Sequence, residues 1–62
     1  MNTITLTGGE FGGETAEVAN VGSEVRIARG ARVYVYEARE VEDEDGTVRL
    51  VGVFVRSERA RP

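Results

Sequence analysis

The stretch RVYVYEAREVEDEDGTVRLVGVFVR, residues 32–56, decides the fold. Two runs rich in β-branched and aromatic residues flank Asp43-Glu44-Asp45-Gly46, and Asp-Gly between such runs favours a hairpin with Gly in a left-handed conformation. Arg32 to Val41 carries Val33-Tyr34-Val35-Tyr36, apolar on both faces, which predicts a central strand. The chain then returns from Thr47 to Arg56. A two-residue Asp45-Gly46 loop sets Tyr36 opposite Val55, Ala38 opposite Val53 and Glu40 opposite Val51. A longer, bulged loop sets Tyr36 opposite Phe54, Ala38 opposite Gly52 and Glu40 opposite Leu50. A slip of one residue turns every side chain to the other face. We favour the bulged register, with Gly52 itself read as a bulge that keeps both faces apolar.

The same period of two extends outward from this hairpin. Glu24 to Ala28 points Val25 and Ile27 inward and Arg26 outward before Arg29-Gly30-Ala31 turns the chain. Glu14 to Val21 sets Ala16 and Val18 on one side, and Asn20 to Ser23 supplies a turn. At the start, Ile4 and Leu6 share one face while Thr3, Thr5 and Thr7 share the other, a half-buried strand. Gly8-Gly9-Glu10-Phe11-Gly12-Gly13 is a structural turn whose Phe11 plugs one end of the fold. Ser57 to Pro62 is polar and is expected to fray. Five short strands with no ten-residue helical period predict an all-β class. The expected architecture is a single small domain over residues 1–62: an antiparallel five-stranded meander forming a curled sheet or an SH3-like or OB-like barrel.

Composition removes whole classes of chemistry. The chain has neither Cys nor His, so disulfides, thiolate nucleophiles, zinc sites of the usual ligand type and imidazole acid-base catalysis are excluded. All eight basic residues are Arg, which also excludes Schiff-base and phosphate-loop lysine chemistry. A 62-residue chain is too short to build a substrate cleft between two carboxylates, and we expect no enzyme, no cofactor and no metal. Met1 to Thr7 lacks a basic leader region and no run approaches a membrane span, which predicts a cytoplasmic protein with no membrane partner.

Charge layout suggests where a partner binds. Glu37, Glu40, Glu42, Asp43, Glu44 and Asp45 against Arg39 give −5 in nine residues and leave +2 for the rest of the chain. The spacing does not match a calcium hand. A solvated hairpin tip is the plainer interpretation. The functional alternative is a prong of Glu40, Glu42, Asp43, Glu44 and Asp45 entering a basic groove on a partner protein. Reversing charge at Asp43 and Asp45 is then expected to abolish association with the fold intact. Arg26, Arg29 and Arg32 form a candidate basic edge beside Tyr34 and Tyr36, but the net charge of −3 and pI near 4.8 count against nucleic acid. Gly8, Gly9, Gly12 and Gly13 resemble an anion-cradling loop only in glycine density, without the Lys and Ser/Thr of one.

The opening Ile4-Thr5-Leu6-Thr7-Gly8-Gly9-Glu10-Phe11-Gly12-Gly13-Glu14, followed by a Val/Ala strand, resembles small uncharacterised all-β proteins of phages, prophages and high-G+C bacteria. These share a Thr-Gly-Gly, aromatic, Gly strand-and-turn. Gly12 stands where that pattern has Asp, and no catalytic residues come with the likeness. It implies a small phage or prophage accessory product that works by binding something; our reading is that the product occupies and blocks a host protein, in its most specific form as an anti-defence or anti-CRISPR inhibitor in the host cytoplasm. A virion assembly role would instead use a free sheet edge near Thr3 to Thr7. A core this small leaves a homodimer open.

Overall fold

The computed structural model describes residues 2–60. Its strands are β1 (Asn2–Thr7), β2 (Thr15–Val18), β3 (Glu24–Arg29), β4 (Arg32–Glu42) and β5 (Val48–Arg59), with no helix among the described residues. One mixed sheet of order β2-β1-β5-β4-β3 curls until its end strands, β2 and β3, approach without pairing, so the fold is a nearly closed barrel. Neighbouring strands in the sheet pair antiparallel except that β1 lies parallel to β5, with Thr5 beside Val51 and Thr7 beside Val53. That contact departs from a purely antiparallel meander. It also corrects the expected free edge at Thr3 to Thr7: β1 is flanked by β2 on one side and, from Thr5 onward, by β5 on the other.

The bulged register holds over the distal hairpin, with Tyr36 opposite Phe54, Ala38 opposite Gly52 and Glu40 opposite Leu50. The tip closes through Asp43 N–H to Thr47 O at 2.8 Å and Gly46 N–H to Asp43 O at 2.9 Å, with Gly46 at φ 88°. This is a type I turn followed by a left-handed glycine, the usual three-residue hairpin connection. The bulge, however, is not at Gly52. The register shifts between Val35 and Tyr36, whose partners are Arg56 and Phe54, leaving Val55 as the extra residue. Without it, strict alternation would send Arg56 to the face that buries Phe54; the extra residue restores Arg56 and Glu58 to the outer face. Gly52 serves close approach instead: a Cβ there would lie 2.6 Å from Leu6 Cδ2 and 3.1 Å from Ile4 Cδ1.

Ile4, Leu6, Val18, Tyr36 and Ala38 form the buried core, with Phe11, Ala16, Val25, Ile27, Tyr34, Leu50 and Phe54 packed around it. Val35 is 0% exposed yet stands outside this cluster. In register it lies between Arg26 of β3 and Arg56 of β5 on the outer face. There Glu58 accepts from Arg26 at 2.9 Å and from Arg56 at 2.6 Å, while Glu24 lies 3.6 Å from Arg26. The aliphatic stems of the two arginines thus roof a valine on the face away from the core.

The carboxy-terminal segment corrects another expectation. Ser57, Glu58 and Arg59 do not fray; they continue β5 opposite Tyr34, Val33 and Arg32, and Ala60 N–H donates to Ala31 O at 2.7 Å. Arg61 and Pro62, the rest of the expected tail, lie outside the described residues.

Candidate functional site

The glycine-rich turn is held by a tyrosine from the opposite side of the barrel. Tyr36 is fully buried; its hydroxyl donates to Gly8 O at 2.7 Å and accepts the Phe11 N–H at 3.0 Å. Gly9, at φ 67°, lets the loop pass over this ring, since a Cβ would sit 2.7 Å from Phe54 Cδ1 and 2.8 Å from the Tyr36 hydroxyl. Phe11 packs edge-on to Tyr34 with centroids 5.3 Å apart and lies beneath the Arg29 guanidinium at 5.6 Å. It covers one end of the barrel. Gly13 N–H donates to Leu6 O at 2.8 Å and Gly12 N–H to Gly9 O at 3.4 Å, so these amides, like that of Phe11, serve the turn and not an anion.

The candidate basic edge is largely neutralised by the chain itself. Arg26 pairs with Glu24 and Glu58, Arg29 with Glu10 at 3.1 Å, and Arg32 donates to Ser57 Oγ at 2.8 Å. Tyr36 is buried and Tyr34 is half-buried against Phe11, so the pair offers no open stacking platform. Glu58 reaches Arg26 and Glu10 reaches Arg29 from far away in sequence, which spacing along the chain does not signal.

The acidic hairpin is different. β3 pairs with β4 only up to Glu37, and β1 pairs with β5 only from Val51. The backbones of Gly22 and Ser23 make the last lateral bonds, to Ala38, at 2.8 and 2.9 Å. Residues 39–50 therefore extend from the sheet as a two-stranded arm with no ladder partner in β1 or β3, which accounts for the 45 × 20 × 15 Å shape. The arm carries five carboxylates against Arg39 and Arg49, a net −3.

The five predicted prong residues divide into two groups. Asp43 and Asp45 shape the turn: Arg49 Nε donates to Asp43 Oδ1 at 3.2 Å, and Thr47 N–H donates to Asp45 Oδ1 at 3.0 Å. The Thr47 amide and hydroxyl hold the Asp45 carboxyl below its ordinary value. Glu40, Glu42 and Glu44 have no ion-pair partner among the described residues. Glu40 faces Leu50 and Glu42 faces Val48 across the ladder, so that face of the arm sets carboxylates beside exposed aliphatic surface; Val48 is 56% exposed. The other face joins Arg39 to Glu37 at 2.7 Å beside Val41.

Where β1 separates from the arm, a pocket of about 290 Å³ opens between Asn2 and Thr3 on one side and Glu40, Val48, Arg49 and Leu50 on the other. Its polar groups are the Glu40 carboxylate, the Arg49 guanidinium, the Asn2 amide and the Thr3 hydroxyl. Among the described residues, no group of three or more acidic side chains is gathered as a metal site, and no helix is long and apolar enough to cross a membrane. Compared with known proteins, the chain matches no family model, no curated protein and no solved structure.

Proposed function

We propose that this chain is a small non-enzymatic protein-binding module that docks its acidic β4–β5 arm against a basic surface of a partner protein. The observation that carries this is the arm itself: residues 39–50 have no ladder neighbour on either edge and bear a net −3, with Glu40, Glu42 and Glu44 uncommitted. Such a prong steers association over a Debye length of about 8 Å at physiological salt. The exposed Val41 and Val48 supply apolar contact once it is seated. The likeness of the opening residues to phage and prophage proteins supports the narrower version, a mobile-element product that occupies and blocks a host protein as an anti-defence or anti-CRISPR inhibitor.

The test is capture of partners from nuclease-treated host lysate at moderate salt by the wild type and by Glu42→Arg/Glu44→Arg. These positions separate charge from fold better than Asp43 and Asp45, whose side chains bond the turn. A stoichiometric host protein retained by the wild type and lost by the variant is the expected result. Equal retention by both removes the arm from the interface. Recovery of the bait or virion proteins alone favours assembly through the open strand edges, and retention that disappears with nuclease favours nucleic acid.

A further inference from the structure

We propose that the pocket between the start of β1 and the arm receives one arginine or lysine side chain from the partner, which deepens the docking role proposed above and rests on it. At about 290 Å³ the pocket has room for one long side chain. Its lining is matched to a long aliphatic stem with a donor-only head. Val48 and Leu50 flank the stem, and Glu40 receives the charge, assisted by the Asn2 amide oxygen and the Thr3 hydroxyl. The β1–β5 ladder starts at Thr5 and Val51, so Asn2–Ile4 and Val48–Leu50 do not pair with each other beside the pocket. The one cation in the lining, Arg49, is turned to Asp43 at 3.2 Å.

A second copy of this chain fits the site poorly. Two arms brought together juxtapose like charges, which is unfavourable. Moreover, Arg26, Arg29, Arg39, Arg49 and Arg56 are paired with carboxylates of their own chain and Arg32 is bonded to Ser57, which leaves, among the described residues, only Arg59, at the end of β5 away from the arm. The occupant is a basic side chain on a different protein.

The probe is a pair of extended peptides, acetyl-Ser-Thr-Val-Arg-Val-Thr-Ser-amide and its citrulline counterpart, titrated into ¹⁵N-labelled protein. The arginine peptide is expected to shift the amides of residues 2–4, 40 and 48–50. Citrulline, which keeps the shape and loses the charge, and Glu40→Gln are each expected to weaken binding about tenfold, since a charge-assisted contact is lost in either case. Glu40 is exposed, so its replacement leaves the core intact. Equal binding of the two peptides, or no effect of Glu40→Gln, overturns the pocket. Shifts confined to residues 42–46 and abolished by Glu42→Arg/Glu44→Arg overturn the pocket while leaving the arm as a docking surface. No shift with the arginine peptide at millimolar concentration also overturns it, and the lysate capture then decides the wider docking role separately.

Discussion

Replacing Tyr36 with Phe removes one oxygen and tests how the glycine turn is held. That oxygen accepts the Phe11 N–H at 3.0 Å and donates to Gly8 O at 2.7 Å, both bonds being half-buried. The ring stays, so its edge-on packing with Phe54, centroids 5.4 Å apart, is preserved. A buried backbone group left without its partner costs roughly 1–3 kcal/mol. Since both groups lie in a partly open loop, water recovers some of that cost, and we expect about 2 kcal/mol for the pair. For a domain of this size each kcal/mol moves the melting temperature by about 4–8 °C, so Tyr36→Phe should melt about 8–16 °C lower. Thermal unfolding followed by circular dichroism measures this, and amide exchange at Phe11 should accelerate with the loss of its acceptor. A melting temperature within about 2 °C of the wild type, with Phe11 still protected, would refute the claim that the hydroxyl anchors the loop.

Three further outcomes follow from the packing and charges. Gly52→Ala places a Cβ 2.6 Å from Leu6 Cδ2, and such overpacking should cost about 1–3 kcal/mol in chemical denaturation; an unchanged or raised midpoint contradicts the close approach. Glu58 is held below its ordinary value of 4.5 by the Arg56 and Arg26 guanidiniums. Its folded-state value is depressed, so its contribution is complete above 4.5 and is lost as pH falls through the lower folded value. The melting-temperature gap between wild type and Glu58→Gln should therefore be constant near neutrality and shrink below pH 4.5; a gap that widens in acid is the opposite result. Glu42→Arg/Glu44→Arg should melt within about 2 °C of the wild type, because neither side chain has an ion-pair partner among the described residues; a large drop would show that the arm charges are structural.

What was legible in the sequence was local. Alternation placed Ile4, Leu6, Val25 and Ile27 toward the core, and the Asp-Gly turn with its bulged register set Tyr36 opposite Phe54. The extra residue at Val55 has no local signature: it sets Arg56 on the outer face, opposite Val35 and within reach of Glu24 of β3, which is remote in sequence. Parallel pairing of β1 with β5 joins the two ends of the described chain, and no turn chemistry announces it. The strand character of Ser57–Arg59 was hidden by polarity, since these residues gain ladder bonds and charge partners in place of a hydrophobic face. At the candidate site, composition located the acidic arm but treated its five residues alike. Only the geometry separates Asp43 and Asp45, which hold the turn, from Glu40, Glu42 and Glu44, which are uncommitted.

The central claim is that the arm's charge draws in a basic partner, and the most direct measurement is the association rate with the captured protein as ionic strength rises. Surface charges act chiefly on this rate and are screened by salt. The wild type should associate fastest at low salt and slow steeply as salt is added, while Glu42→Arg/Glu44→Arg should be slow throughout with little salt dependence. Identical rates for the two proteins, flat across the salt series, would contradict it.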